Sequence, residues 1–129
     1  VPHWVVPVAD LDCADLDRLA VPLRAWPALG RGGTNVTLAE LSGGVVRVRT
    51  FERGVEGETL ACGSGLAAAG WWAATVRGLG YPVRLRTRGG DELRLTRDPQ
   101  ARGLWLEGPV RKVFSGLLPG RPERYPRAR

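Results

Sequence analysis

The sequence predicts an α+β domain in which strands, arranged as an antiparallel sheet or a partial barrel, wrap around one buried helix while a second helix lies outside. Three observations support this class. Apolar residues make up 43% of the 129 residues, which is enough for one core but not for two ordinary domains. Residues 63–76 carry no charge and are mostly small, as expected for a helix inside a protein. On either side of them, apolar and arginine side chains alternate with the period of two that is typical of strands.

The first thirty residues predict a strand followed by a helix. Residues 3–9 form a short apolar segment that favours a strand. Asp12 is the predicted N-cap of the helix, and apolar residues follow it at helical spacing: Leu16, Leu19, Leu23 and Trp26. Pro22 lacks the amide that a helix uses, so we expect a kink or two short helical pieces.

The next part of the chain predicts a hairpin that ends in a carboxylate on its apolar face. A strand from Asn35 to Leu41 leads through the turn at residues 42–44 into a second strand. Arg47 and Arg49 point to one face of that strand, and the other face carries Val46, Val48, Thr50 and Glu52. Burying a carboxylate is costly unless it has a partner or a task, so Glu52 is a candidate functional residue.

Everything after the central helix predicts strands. Valine, leucine and threonine alternate with arginine over residues 83–88, and a loop at residues 89–91 is expected to set Leu93 opposite Thr87 and Leu95 opposite Leu85. Further strands are predicted at 103–107 and 110–117. We therefore expect one lobe over residues 1–118 and a flexible basic tail over residues 119–129.

Charge and composition argue against several classes of protein. The 19 basic and 13 acidic residues give a net charge of +6, but no exposed aromatic residues interleave with the arginines, so a solvated sheet face is favoured over a nucleic-acid surface. No uncharged run reaches the roughly twenty residues of a membrane span. One histidine and two cysteines lack the spacing of a zinc site, so we expect no metal and a reduced, cytoplasmic protein. Methionine is absent, and we expect Val1 to begin an excised, processed or ordered-only segment.

Cys62 and the Gly-Ser-Gly that follows it are the sharpest chemical feature. A thiol at the start of a helix feels the positive end of the helix dipole, and glycines let a ligand approach the backbone amides, which also bind carboxylates. A buried structural cysteine is the alternative interpretation. The same stretch matches a dinucleotide fingerprint, but hairpins rather than a strand-helix-strand unit surround it. A papain-type site is disfavoured because the only histidine, His3, precedes the cysteine.

Two motifs in this region carry a family resemblance. Glu52-Arg53-Gly54 and the stretch Gly57-Glu58-Thr59-Leu60-Ala61-Cys62-Gly63-Ser64-Gly65 closely resemble the signature of the second half of diaminopimelate epimerase, and the likeness extends over roughly residues 2–118. The resemblance implies a pyridoxal-independent enzyme of lysine and peptidoglycan-precursor synthesis. It also implies two similar lobes, each a sheet around a central helix, with the active site between them.

The resemblance implies how the proton chemistry is divided. In that family two cysteines, one in each lobe, work on opposite faces of the substrate α-carbon, one as thiolate base and the other as thiol acid. Cys62 matches the second of them, and Cys13 does not match the first, which belongs to a missing amino-terminal lobe. Glu52 and His3 are implied to set protonation, Glu52 near Cys62 and His3 near the absent cysteine. No cofactor is expected.

Substrate contacts are implied in the same way. Asn35 and Arg53, assisted by Glu52, would hold the distal amino acid end of diaminopimelate. The backbone amides of Gly63 and Ser64 would bind the α-carboxylate at the start of the helix.

Two departures from the family pattern leave alternatives open. The family has Gly-Asn before Pro-His, whereas Val1 precedes Pro2 here, and the loop between Arg53 and Cys62 has one extra residue. The alternatives are a non-catalytic module of the same fold that binds amino acids or a partner protein, and a related racemase or isomerase with another substrate. We expect the chain alone to fold without catalysing, and a homodimer stays open.

Overall fold

A computed structural model describes residues 1–30, 32–100 and 102–117 of the chain, and the predicted basic tail at 119–129 lies outside the described residues. These residues form an α+β fold with a mixed sheet of seven strands and two α-helices. The strands are β1 His3–Pro7, β2 Asn35–Ser42, β3 Val45–Glu52, β4 Gly57–Thr59, β5 Val83–Arg86, β6 Glu92–Arg97 and β7 Leu104–Glu107. The helices are α1 Leu16–Arg24 and α2 Gly63–Thr75, and a short 3₁₀ turn covers Pro27–Leu29.

The sheet is mixed rather than antiparallel, which corrects the prediction. Its order is β1-β2-β3-β5-β6-β7, and β4 pairs with β3 beside this path. The pairs β1–β2 and β3–β5 are parallel, and all other pairs are antiparallel. Parallel neighbours need a long crossover, and α1 lies in the first crossover while α2 lies in the second.

The β2–β3 hairpin is the centre of the fold. Gly43 and Gly44 form its two-residue turn with φ values of 56° and 76°, a left-handed conformation that suits glycine and matches the twist of the strands. The predicted alternation in β3 is confirmed, because Val46, Val48 and Thr50 are buried on the α2 side. The opposite face of the hairpin is covered by α1, so this hairpin is buried on both sides.

Helix α2 is only partly buried within the described residues, although its sequence predicts complete burial. The stripe that packs on the sheet consists of Gly65, Leu66, Ala69, Gly70 and Ala73. Trp71 on the other side is 52% exposed. The sheet ends at β1 on one side of α2 and at β7 on the other, and a groove of about 470 Å³ between these edges exposes the helix. None of the described helices is long and apolar enough to cross a membrane.

Helix α1 differs from its prediction at both ends. Asp15, not Asp12, is the N-cap, and its carboxylate accepts from the amide of Arg18 at 3.0 Å. The helix continues through Pro22 to Arg24 instead of breaking, and Trp26 lies beyond it. Pro22 removes one backbone hydrogen bond, and because it is exposed, water can reach the carbonyl that loses its partner.

Two predictions about the last strands are wrong. Leu93 lies opposite Leu85, and Leu95 lies opposite Val83, so the pairing is shifted by two residues. The shift keeps the same side chains on the buried face, because it is an even number of residues. Thr87 leaves the ladder to close the loop, where its amide donates to the carbonyl of Asp91 at 3.0 Å. Residues 110–117 form no strand and are exposed.

Candidate active site

Cys62 is the N-cap of α2, with extended backbone angles and a carbonyl that accepts from the amide of Leu66 at 2.9 Å. Among the residues that the structure describes, no side chain caps this helix start, and the next two residues, Gly63 and Ser64, are exposed. The amides in the first turn of a helix have no partner within the helix, and they carry its positive dipole end. The structure therefore places a buried thiol directly beside amides that are able to bind an anion.

A hydroxyl joins this thiol to the only histidine. The Oγ of Ser64 lies 3.6 Å from the Sγ of Cys62 and 2.8 Å from the Nε2 of His3. His3 begins β1, which runs beside the start of α2. The sequence predicts Ser64 only as a backbone contact, so the use of its side chain is a finding of the structure.

Two buried threonines hold the other side of the His3 ring. The Nδ1 of His3 lies 2.9 Å from Oγ1 of Thr37, which in turn lies 3.2 Å from Oγ1 of Thr50 on the paired strand. Both threonines are almost fully buried, at 0% and 3% exposure. The sequence indicates the burial of Thr50, because it lies on the apolar face of β3. It gives no such indication for Thr37, because β2 is buried on both faces and its residues do not alternate.

Gly65 allows α2 to approach this hydroxyl pair closely. A Cβ at this position would lie 2.6 Å from Oγ1 of Thr50, 3.1 Å from Oγ1 of Thr37 and 3.4 Å from Cε1 of His3. The first distance is shorter than real Cβ contacts, so a side chain here would displace the helix or the threonine. The glycine in the Cys-Gly-Ser-Gly motif is therefore required by packing as well as by access to ligand.

Asn35 connects the histidine to the Glu-Arg-Gly segment. Its Oδ1 accepts from the amide of Arg53 at 2.9 Å, and its Nδ2 lies 3.4 Å from Nε2 of His3. Arg53 donates through its guanidinium to the carbonyl of Gly32 at 2.6 Å. Asn35 is 3% exposed, so this amide is fixed within the fold.

Glu52 ends β3, where it is half-buried and opposite Gly57. Its carboxylate accepts from the hydroxyl of Thr59, which is the partner that its position requires. The loop after it folds into a turn in which the amide of Glu56 donates to the carbonyl of Glu52 at 2.8 Å. The additional loop residue therefore leaves Glu52 paired within the sheet.

Burial lowers the pKa of His3, while the charge of Glu52 acts in the opposite direction. The ring is therefore neutral near neutral pH. A neutral imidazole has one nitrogen that donates and one that accepts, so the direction of its hydrogen bonds is a chemical property of the site.

The two cysteines have different surroundings. Cys13 is exposed in the loop before α1, where a hydrogen bond to Asp10 raises the pKa of its thiol. Cys62 is buried at the helix start, and neither cysteine forms a disulfide. His3, Asn35, Ser64 and Cys62 form one chain of contacts, and Glu52 and Arg53 adjoin it through Asn35 and the end of β3.

A model of the family described as diaminopimelate epimerase matches residues 1–113. The chain belongs to the diaminopimelate epimerase family. The diaminopimelate epimerase of Hydrogenobaculum sp. (strain Y04AAS1) is 42% identical over 123 residues, which cover 92% of this chain and 43% of that protein. The diaminopimelate epimerase of Aquifex aeolicus (strain VF5) is 39% identical over 121 residues, with the same coverage of each chain.

The similarity to a solved structure supports the fold alone. A phenazine-biosynthesis PhzC/PhzF-type protein of Clostridium difficile (strain 630) superposes with a TM-score of 0.50 at 17% sequence identity, covering 75% of this chain and 34% of that one. The chain thus spans less than half the length of the curated relatives that it matches.

Proposed function

We propose that this chain is the carboxy-terminal lobe of an epimerase that interconverts LL- and meso-diaminopimelate, in lysine and peptidoglycan-precursor biosynthesis. The observation that carries the proposal is the helix start, where the Cys62 thiol, the exposed amides of Gly63 and Ser64, and the neutral His3 ring lie together. Family membership and relatives that are named diaminopimelate epimerase support this substrate.

The amides at the helix start suit the difficult step of such a reaction. Removal of an α-proton develops negative charge on the carbon and on the adjoining carboxylate. We assign the backbone amides of Gly63 and Ser64 to that carboxylate, because donors already fixed in place stabilise the charge as it forms. Cys62 then exchanges a proton with the α-carbon, as acid in one direction and as base in the other.

The distal amino acid end of the substrate is assigned to Asn35, Arg53 and Glu52. The hydrogen bond between Asn35 and the amide of Arg53 holds these residues at one end of the β2–β3 hairpin. Together they offer an amide, a guanidinium and a carboxylate, which complement the two charged groups of an amino acid.

Epimerisation also requires a second acid or base on the opposite face of the carbon. We propose that a cysteine of an amino-terminal lobe supplies it, since Cys13 lies in the loop before α1, on the other side of the hairpin. The 129-residue chain alone should therefore fold but not epimerise. A pyridoxal-independent reaction and a cytoplasmic location belong to the same proposal, and the homodimer stays open.

A chimera tests the proposal. The region of the Hydrogenobaculum enzyme that this chain matches is replaced by this chain, and the purified chimera is incubated with LL-diaminopimelate in deuterium oxide. The expected result is deuterium at the α-carbon and formation of the meso isomer. Cys62→Ala should abolish both, whereas Cys13→Ala, as the matched control, should keep most of the activity.

Other outcomes separate the alternatives. A folded chimera that binds diaminopimelate without exchanging deuterium contradicts the proposal and supports a binding module. Exchange with a different amino acid, in a substrate panel, supports a related racemase. If the isolated chain epimerises at the rate of the chimera, the two-lobed site is wrong.

A further inference from the structure

We propose that the ion pair between Arg24 and Glu56 holds the loop after β3 in the shape that directs the Arg53 guanidinium toward the distal carboxylate of the substrate. The inference rests on the proposed function, which assigns Arg53 to that end of diaminopimelate. It adds Arg24 and Glu56 as positioning residues, away from the reacting carbon, and gives a task to the loop in which this chain departs from the family pattern.

The backbone of this loop is strained at Glu56. Residues 53–56 join β3 to β4, and the amide of Glu56 closes the turn by donating to the carbonyl of Glu52 at 2.8 Å. Glu56 has a φ of 57° and is the one residue other than glycine with a positive φ in the described part of the chain. Glycine adopts this left-handed conformation at less cost. A glutamate at such a position indicates that its side chain is used.

The Glu56 carboxylate joins its own loop to the end of α1. Its Oε1 accepts from the amide of Gly54 at 3.0 Å, within the loop. Arg24 is the last residue of α1, and its Nε and Nη2 donate to the same oxygen at 3.0 and 2.6 Å, while Nε also lies 3.0 Å from Oε2. Paired contacts between a guanidinium and a carboxylate fix their orientation as well as their distance.

The same contacts keep this carboxylate charged. The hydrogen bonds from Arg24 and from the Gly54 amide, and the charge of Arg53, lower the pKa of Glu56, while burial opposes them. Glu56 is therefore ionised near neutral pH. Its side chain is 53% exposed, so added salt is expected to screen the attraction between Arg24 and Glu56.

Arg53 lies between two backbone amides that are held by side chains. Its own amide donates to Oδ1 of Asn35 at 2.9 Å, and the next amide, of Gly54, is the one bonded to Glu56. The Nη1 of Arg53 donates to the carbonyl of Gly32 at 2.6 Å. A guanidinium carries several N–H donors in a planar fork, and this bond uses one of them. The others suit a carboxylate.

Two glycines bring the segment before β2 against both guanidinium groups. A Cβ at Gly32 would lie 2.9 Å from Nη1 of Arg53, and a Cβ at Gly33 would collide with the guanidinium and the carbonyl of Arg24. The carbonyl of Arg24 also accepts from the amide of Thr34 at 3.1 Å. Arg24 therefore holds the segment that contacts the Arg53 guanidinium, and through Glu56 it holds the loop that carries Arg53.

Loss of the ion pair should change binding rather than chemistry. Arg53 is assigned to the end of the substrate that does not react, where contacts stabilise the bound substrate and the transition state alike. A misplaced guanidinium therefore raises KM and leaves kcat nearly unchanged. Because an exposed ion pair contributes modestly, the expected increase in KM is about two- to five-fold.

Amide hydrogen exchange in the full 129-residue chain tests the loop without substrate. Arg24→Ala and Glu56→Ala should each speed exchange of the Arg53 amide several-fold, and the double substitution should add little to either one. Added salt should speed this exchange in the unsubstituted chain but not in Glu56→Ala. Val55→Ala, at an exposed residue of the same loop, is the matched control and should change nothing. Unchanged exchange of the Arg53 amide in Arg24→Ala would overturn the proposal.

The chimera described above tests the consequence for substrate. Arg24→Ala and Glu56→Ala should each raise KM for diaminopimelate, and Arg24→Lys, which keeps the charge but not the fork, should have an intermediate effect. Arg53→Ala should raise KM further, and adding Arg24→Ala to it should cause no additional rise. A merely structural role of Arg24 would give the same rise with and without Arg53, and that result would overturn the proposal.

The two proposals fail separately. Exchange of the Arg53 amide is measured without turnover, so a chimera that does not epimerise rejects the proposed function while the exchange rates still decide whether the ion pair holds Arg53. An active chimera in which neither Arg24→Ala nor Glu56→Ala changes KM keeps the proposed function and rejects the positioning role.

Discussion

The two faces of the β2–β3 hairpin are covered in different ways. The face toward α1 buries Val36, Leu38 and Phe51 and also carries ion pairs. The face toward α2 buries Ala39, Val46 and Val48, its fully buried polar groups include the neutral hydroxyls of Thr37 and Thr50, and the Glu52 carboxylate is half-buried at the end of β3. Of these two faces, only the one toward α2 lies next to Cys62, the N-cap of that helix.

The polar groups on the α1 face are satisfied by one another. Glu40 accepts from the amide of Leu11 at 2.8 Å and from Arg47 at 3.1 Å. Arg49 forms paired hydrogen bonds with Glu58 and donates to the carbonyls of Leu11 and Ala14, each at 2.9 Å. These charges tie the loop before α1 to the sheet, which is a structural role.

The α2 face differs because its buried hydroxyls contact each other and the His3 ring, which also contacts the exposed Ser64. Paired charges therefore hold the α1 face to the neighbouring loop, whereas the buried hydroxyls of the α2 face lie beside His3 and near Cys62, the residue proposed to be catalytic.

The largest expected effect is on the α2 face. Gly65→Ala places a methyl group 2.6 Å from Oγ1 of Thr50, and we expect overpacking to lower the free energy of unfolding by about 2 to 3 kcal/mol. Gly63→Ala is the matched control, since its Cβ would meet Leu106 at an ordinary 3.9 Å. Denaturant unfolding of both variants measures the difference. Equal stabilities would show that α2 is not held against the threonines.

A smaller loss is expected on the α1 face. Arg49→Ala removes a guanidinium whose side chain is 13% exposed, takes this donor from two carbonyls and leaves Glu58 with the more distant Arg88 at 3.7 Å, at a cost of about 1 to 2 kcal/mol. Arg47→Ala should cost less, since its side chain is 31% exposed and its partner Asp12 is 59% exposed. Denaturant unfolding compares the two, and the reverse order would contradict the structural role of Arg49.

As the pH falls, the contribution of the α2 face to the free energy of unfolding should be lost before that of the α1 face. The pKa of His3 is lowered from 6.5, so the unfolded chain takes up its proton first, and stability is lost as the pH falls below about 6.5. The pKa of Glu58 is lowered from 4.5 by Arg49, so its contribution is lost only as the pH falls below about 4.5. Free energies of unfolding across this range measure both, and His3→Gln should flatten only the upper part of the curve. If His3→Gln instead flattens the curve below a pH of about 4.5, the loss of stability at the higher pH does not come from His3.

The smallest effect concerns Cys13, beside α1. Asp10 raises the pKa of this thiol through a hydrogen bond and through its charge. Asp10→Asn should therefore speed the alkylation of Cys13 by iodoacetamide several-fold near neutral pH, because more thiolate is present. Peptide mass spectrometry separates Cys13 from Cys62. Asp17→Asn is the matched control, because the Asp17 carboxylate does not contribute to the raised pKa of Cys13, and it should leave the alkylation rate unchanged. An equal increase in both variants would show that the net charge of the protein, rather than Asp10, controls the rate.

Local patterns in the sequence predicted much of the fold. Alternation in β3 placed Val46, Val48 and Thr50 on the buried side, and the glycine pair before it predicted the hairpin turn. Composition, the uncharged run at residues 63–76 and the alternation of the strands predicted the α+β class, and the Glu52-Arg53-Gly54 and Cys62 motifs together predicted the family. Such features depend on residues that are close together in the sequence, so they can be predicted from short segments.

Only the tertiary structure decided the pairing and the chemistry between segments. The parallel pairs, the shifted register of β5 and β6, and the open side of α2 all depend on which distant strands meet. The chain of contacts from Thr37 through His3 and Ser64 to Cys62 joins residues up to 61 positions apart. The alternation of apolar residues indicates which side chains of one strand are buried. It carries no information about which distant side chains meet, because those contacts depend on how whole elements pack against one another.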